Sequence, residues 1–185
     1  MEDSKIVELY WQRDESAISE TQQKYGKYLT KIAYNILADI EDSRESVNDT
    51  YLKAWHSMPP HKPCVLSTFL GRITRQISID TYRKRNSKKR QGSEYALALD
   101  ELYDCVSDLK SPEKEVEAQL LAECIGNYLM TLSDEARNIF VCRYYFLDSV
   151  HDISQHLGAS ESKIKSSLHR TRLGLKQYLE KEGLL

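Results

Sequence analysis

The sequence predicts an all-α protein of two small helical domains joined by a flexible linker, and three observations carry that expectation. Seven glycines and four prolines in 185 residues are too few for the many tight turns of a strand-rich fold. Apolar residues recur at three- and four-residue steps in both halves of the chain, the mark of amphipathic helices. Between the halves, Asn86–Lys110 is polar and weakly periodic, as a tether would be. The expected division is 1–90 for the first domain, 91–111 for the linker and 112–185 for the second domain.

The first helix runs from Ala17 to Leu37, where Ile18, Tyr25, Tyr28, Leu29, Ile32, Ala33, Ile36 and Leu37 share one face. A second covers about Asp42 to His56, with Val47, Tyr51, Ala54 and Trp55 inward. Met58-Pro59-Pro60-His61-Lys62-Pro63 cannot continue it, because proline fixes φ and lacks an N–H donor; it reads as a stiff loop. Helix resumes from about Val65 to Arg85, burying Leu66, Phe69, Leu70, Ile73, Ile77 and Tyr82. Within the linker, the patch Tyr95–Leu102 either docks as a helix or stays mobile. Ser111-Pro112 is a helix-start signal, a cap followed by proline in the first turn. Four helices are expected after it: Pro112–Met130, Ser133–Phe146, Ser149–Leu157 and Ser160–Glu180.

The net charge of −2 hides an uneven distribution. Between Gly71 and Gln91 lie Arg72, Arg75, Arg83, Lys84, Arg85, Lys88, Lys89 and Arg90, against Asp80 alone. Acids dominate from Glu94 to Glu123. From Ser162 to Gln177 the charged residues are Lys163, Lys165, Arg170, Arg172 and Lys176. Two cationic surfaces thus flank an acidic stretch, a pattern suited to a polyanionic partner. The cysteines Cys64, Cys105, Cys124 and Cys142 form no CxxC pair and have no histidine at ligand spacing, so neither metal nor cofactor is expected. Cys124 and Cys142 fall on apolar helix faces, as core thiols do. The N-terminus lacks a basic-then-apolar leader, and no apolar run reaches the roughly 20 residues that span a bilayer. A cytoplasmic protein without membrane insertion is the expectation.

The segment Ser149–Tyr178 has the spacing of a helix-turn-helix. Ile153 and Leu157 face inward on its first helix, and Gly158 follows where the chain must take positive φ to turn. Ser160 can cap the second helix, whose inward residues are Ile164, Leu168 and Leu175, and small Ser154 sits where the helices cross. Outward lie Ser162, Lys163, Ser166, His169 and Arg170, short hydroxyls and cations able to reach base edges and phosphates in a major groove. Lys165 and Arg172 complete the candidate duplex-binding set. With about five cations engaged, affinity should fall steeply with salt as counterions are released.

Three segments then carry a family resemblance. Asp42-Ser-Arg-Glu-Ser-Val-Asn-Asp-Thr-Tyr-Leu-Lys-Ala-Trp55 resembles the pattern D-A-E-D-x-V-Q-E-T-F-L-x-A-W of extracytoplasmic-function (ECF) sigma factors of the sigma-70 family. Thr68–Arg85 (TFLGRITRQISIDTYRKR) resembles their next helix, W-L-x-x-I-A-R-N-x-A-I-D-x-x-R-R-x, and Leu157–Arg172 resembles L-G-V-P-x-G-T-V-K-S-R-L-H-R-A-R. The matches occur in the family's order and cover nearly the whole chain. Arg44 stands where the family usually has an acid, Ser46 where it has an aliphatic residue, Gln76 where asparagine is frequent and Ser167 where the recognition helix has arginine. Thr68-Phe69 and the loop prolines also depart from the commonest pattern.

The resemblance implies a bacterial RNA polymerase sigma factor with sigma domain 2 in 1–90 and sigma domain 4 in 112–185. The first would dock on the clamp helices of the largest polymerase subunit through Asp42, Glu45, Asn48, Asp49 and Leu52. It would hold the opened −10 element with Arg72, Arg75, Gln76, Arg83, Lys84 and Arg85, helped by the loop Ser57–Val65, which cradles a flipped base in the family. Lys88, Lys89 and Arg90 could add phosphate contacts. The second domain would read the −35 element of promoter DNA as duplex, and an anti-sigma factor would be a further partner. Trp55 would also face the polymerase, and reads at least as well as a core residue. The competing expectation is a helix-turn-helix regulator that acts without core polymerase, although the N-terminal half lacks the strands of a receiver domain. A helical RNA-binding or structural protein would leave the helix-turn-helix spacing unexplained. Asp148 with Asp152, and His151 with His156, lie at helical spacing on outward faces with no phosphate loop or nucleophile elbow beside them. No catalytic residue is therefore assigned, and an enzyme is not expected.

Overall fold

The computed structural model describes residues 1–85, 93–106 and 115–184, without the side chains of 104–106 and 115–118. Lys88, Lys89, Arg90, the Ser111-Pro112 start signal and the Cys105 side chain lie outside the described residues. Among the described residues there are helices and no strand. They are α1 (Asp3–Trp11), α2 (Ser16–Leu37), α3 (Ile40–Ser57), α4 (Leu66–Arg85), α5 (Glu94–Val106), α6 (Glu115–Thr131), α7 (Asp134–Tyr144), α8 (Val150–Leu157) and α9 (Glu161–Lys181). They divide into two compact units, Met1–Ala96 and Leu97–Leu185.

In the first unit α2, α3 and α4 pack on one another and α1 lies on α2. Leu29, Ala33, Val47, Ala54, Leu66 and Leu70 fill the interior with Ile6, Val7 and Tyr10 of α1. The amphipathic spacing read from α2 to α4 therefore does what it should, burying one stripe per helix. Helix α1 was not expected, yet Ile6, Val7 and Tyr10 give it an apolar face that is almost wholly buried. Small polar residues let the helices approach closely. Thr74 donates to the Leu70 carbonyl at 3.0 Å, and the Thr50 hydroxyl lies 2.8 Å from the Ser46 carbonyl and 3.0 Å from Thr74 Oγ1, one of which accepts its single proton. The Tyr10 hydroxyl bonds Thr21 Oγ1 at 3.0 Å, whereas the buried Tyr51 hydroxyl and Ser78 Oγ have no hydrogen-bond partner among the described residues. Trp55 is only partly buried, packed against the core at 6.1 Å from the Tyr10 ring.

The second unit combines long α6 and α9 with short α7 and α8. α7, α8 and α9 pack mutually, and α6 lies against α9. Serines cap three of them: Ser133, Ser149 and Ser160 accept from the amides of Ala136, Asp152 and Lys163, as N-caps do. Gly158 ends α8 at φ +62°, the left-handed turn that its place in the sequence predicts. Ile153, Ile164, Leu168 and Leu175 are buried and Ser154 lies at the crossing. Leu157 is a correction: it is 37 % exposed, because the last turn of α8 extends past the face that α9 covers. The patch Tyr95–Leu102 is helical within α5, with Tyr95 edge-on to Tyr82 at 5.0 Å.

Candidate nucleic-acid interface

Helix α3 is started by Asp39, whose side chain accepts from the Asp42 amide at 3.0 Å. Four of the five residues assigned to polymerase, Glu45, Asn48, Asp49 and Leu52, are exposed at helical spacing and form one stripe. Leu52 is 56 % exposed, an apolar centre inside a polar rim. Asp42 behaves differently. It is half-buried and ion-paired with Arg85 at the end of α4, so the polymerase list and the −10 list each give one residue to an internal bond. Asp42 is held within the unit by this pair, while Arg85 remains exposed. The sequence did not show this because the two lie 43 positions apart and meet only once α3 and α4 are packed.

Beside this stripe runs a groove of about 590 Å³ between α2 and α3. Asn48 lies on its edge, with Lys27, Lys31, Tyr34, Ile40, Arg44 and Tyr51. Tyr34 and Ile40 are close to half exposed. Sequence reasoning named Arg44, Asn48 and Tyr51 but missed Lys27, Lys31, Tyr34 and Ile40, which lie outside the apolar stripes and are brought to the groove only by the packing of α2 on α3.

A second groove, of about 570 Å³, opens between the end of α3, the loop and α4. It brings Arg72 and Gln76 together with Lys53, Ser57, His61, Lys62, Pro63 and Phe69. The His61 and Phe69 rings lie 6.5 Å apart. Cations for phosphate, an amide for base edges and aromatic faces for stacking are what an unstacked nucleotide requires. Met58 anchors the loop in the core, and Met58–Pro59 and Pro59–Pro60 are cis. Helix α1 supports the loop from outside: Trp11 Nε1 donates to the His61 carbonyl at 3.2 Å, and Lys62 lies over the Trp11 ring. Gln76 also bonds Asp80 on its own helix at 3.1 Å. Arg83 and Lys84 are exposed on the last turn of α4, away from the residues that line the groove, and Arg75 is half-buried.

On α9, Ser162, Lys163, Lys165, Ser166, His169 and Arg170 are all exposed. Several are already engaged within the unit: Lys163 with Glu135 at 2.5 Å, Lys165 with Glu161 at 3.4 Å, and Arg170 Nε with the Ser166 carbonyl at 3.4 Å. Arg172 is turned inward, its side chain 15 % exposed and its guanidinium on Glu101 and Tyr144. Ser167 is buried, so in this structure that position does not face outward as a reading residue would.

Glu101 sits at the centre of a polar cluster. Arg143, 2 % exposed, donates Nη2 to Glu101 Oε1 at 2.7 Å and Nε to Oε2 at 3.3 Å, and its Nη1 reaches the Asp148 carbonyl at 3.0 Å. Burial pushes the Glu101 carboxyl up, but the bonds and charge of Arg143, with Tyr144 and Arg172, outweigh it and hold the group below the usual glutamate value. Burial raises the Tyr144 phenol well above its ordinary value. Among the described residues no group of three or more His, Cys, Asp or Glu is placed to hold a metal ion, and no helix is long and apolar enough to cross a membrane.

Comparison with known proteins places these helices. Residues 22–88, spanning α2 to α4, match the family model described as sigma-70 region 2. The ECF RNA polymerase sigma factor SigW of Bacillus subtilis is 23% identical over 169 residues, 90% of each chain. The RNA polymerase sigma factor YlaC of the same species is 24% identical over 89% of this chain and 93% of that one. A solved structure of CnrH in complex with the cytosolic domain of CnrY aligns over 97% of both chains at 19% identity and a TM-score of 0.45.

Proposed function

Because this chain belongs to the ECF sigma factors of the sigma-70 family, we propose that it binds bacterial core RNA polymerase and directs initiation at a particular set of promoters. The observation that carries the reading is that the region 2 match, 22–88, covers the three helices that build the exposed α3 stripe and both grooves. We assign residues 1–90 to sigma domain 2, 112–185 to sigma domain 4 and 91–111 to the connection. The stripe Glu45, Asn48, Asp49 and Leu52, with the adjoining α2–α3 groove, fits the clamp helices of the largest subunit: an apolar centre within a polar rim is how such contacts are built. The loop groove, with Arg72 and Gln76, takes an unstacked base of the −10 element, and Arg83 and Lys84 follow the strand's phosphates. Helix α9 enters the major groove at the −35 element through Ser162, Lys163, Lys165, Ser166, His169 and Arg170. Catalysis then belongs to the polymerase, the site of action is the cytoplasm, and an anti-sigma factor is a fitting inhibitor. A regulator that acts without core is not favoured, since relatives similar over about 90% of the chain are sigma factors.

Transcription with purified core, with and without the chain, tests this directly. Leu52→Arg should weaken core association at least about thirtyfold, as loss of a buried interface anchor does, with duplex binding unchanged. Arg170→Ala should weaken −35 duplex binding about tenfold with core association unchanged. Tight promoter binding by the chain alone, with no affinity for core, would remove the proposal.

A further inference from the structure

We infer that Glu101 of α5 is a built-in competitor for DNA: its carboxylate takes the place of a backbone phosphate and holds Arg172 of α9 out of the duplex-binding set. The inference rests on α9 being the duplex-reading helix. Its basis is how differently the α9 cations are held. Lys163 and Lys165 are paired with Glu135 and Glu161 on open surface, with side chains more than half exposed on the lysine side. Such pairs give way to a phosphate at little cost. Arg172 is 15 % exposed, its Nη1 donating to Tyr144 Oη at 2.7 Å and to Glu101 Oε2 at 3.2 Å. Its partner comes from 71 positions away, in a different helix from the helix-turn-helix itself.

The cluster is arranged so that Arg172 is its exchangeable member. Arg143 grips both oxygens of Glu101 and is itself tied to the Asp148 carbonyl, so the carboxylate stays in place without Arg172. Oε2 accepts from three donors, Arg143 Nε at 3.3 Å, Tyr144 Oη at 2.9 Å and Arg172 Nη1 at 3.2 Å. None of the three bonds is short, and an oxygen so shared loses little when one donor leaves. Arg143, almost fully buried, cannot leave without stranding a charge; Arg172 can, and a phosphodiester replaces its carboxylate charge for charge. The stretch read as linker therefore limits the number of cations that α9 can offer, an autoinhibitory contact within the second unit.

The test is a double-mutant cycle on the full chain, measuring anisotropy of a labelled −35 duplex across a salt series. Arg172→Ala alone should change affinity less than about twofold, because Arg172 is already held. Glu101→Gln should tighten binding about fivefold and steepen the log–log salt slope by about 0.9, one more phosphate neutralised. Both gains should vanish in the E101Q/R172A double variant. Tyr144→Phe leaves every charge and the Glu101–Arg143 pair intact, so it serves if E101Q fails to fold; it should tighten binding about twofold, again only while Arg172 is present. Two results overturn the inference: a gain that survives R172A, which is general electrostatics, or a loss from R172A equal in the presence and absence of Glu101. No change in Y144F overturns it as well. If Arg170→Ala leaves duplex binding intact, it is the placement of α9 on DNA that fails.

Discussion

The two units solve the same packing problem with different chemistry. The first joins long helices through an apolar interior and threads it with hydroxyls that bond to local carbonyls or to each other. Its ion pairs reach solvent: in Lys24 with Asp3 both side chains are about one-third exposed, and in Arg85 with Asp42 the arginine is about half exposed. The second closes around Arg143, 2 % exposed, with Glu101 as its counter-ion. Its α7 and α8, of 11 and 8 residues, offer little apolar area, so more of the second unit's specificity rests on a charge pair. Such a pair is costly to break and weak as a net source of stability. The first unit should therefore be indifferent to charge and the second sensitive to it.

Arg143→Ala carries the largest effect. It removes the donor to Glu101 and Asp148 and should destabilise the second unit by about 3–5 kcal/mol, the usual result of stranding one partner of a buried pair. The E101L/R143M double variant should recover most of that loss. Both tryptophans, Trp11 and Trp55, lie in the first unit, so tryptophan fluorescence follows that unit alone while far-ultraviolet circular dichroism follows both. The dichroism transition should move and the fluorescence transition should not. A joint shift would mean that the units do not unfold separately.

Acid should separate the units next. Because the Glu101 carboxyl is held below its unfolded value, the stability it contributes is complete above the ordinary glutamate range and is lost as pH falls through the depressed folded value. Urea midpoints followed by dichroism should drop as pH is taken below that range, and E101Q should remove most of the dependence. A wild-type chain whose second unit is as flat with pH as E101Q would show that the pair is not carrying the unit.

How much of this could be read beforehand follows from distance along the chain. Gly158, the Ser160 cap and the stripe Glu45–Leu52 depend on neighbours within a helical turn or two, and these features were legible. Asp42 with Arg85, and Glu101 with Arg172, are pairings across 43 and 71 positions. Nothing in local periodicity reports them: Asp42, Arg85 and Arg172 are each ion-paired within their own unit, Arg85 while remaining exposed. Helix α1 was legible in principle through Ile6, Val7 and Tyr10, but the segment is nine residues long and isolated helices of that length are marginal. Its packing on α2 is what makes it a helix. The grooves were the least legible, since they consist of what neighbouring helices leave uncovered at Tyr34, Ile40 and Phe69.

The smallest effect sharpens the comparison from the other side. Asp3 of α1 bonds Lys24 at 2.7 Å and accepts from the Tyr25 hydroxyl at 2.5 Å, and burial pushes its carboxyl up while Lys24 and Tyr25 bring the net value below the usual one. On paper this resembles Glu101: one carboxylate, a cation and a tyrosine. The difference is water, which reaches both Asp3 and Lys24 and screens their attraction. Asp3→Asn keeps an acceptor for both donors and removes only the charge, so it should cost less than about 1 kcal/mol and leave the fluorescence midpoint nearly still. A loss comparable to that of R143A would mean that α1 is held to α2 mainly by this pair. The burial of Ile6, Val7 and Tyr10 would then no longer explain why the segment is attached, and the contrast between the units would fail at its simplest point.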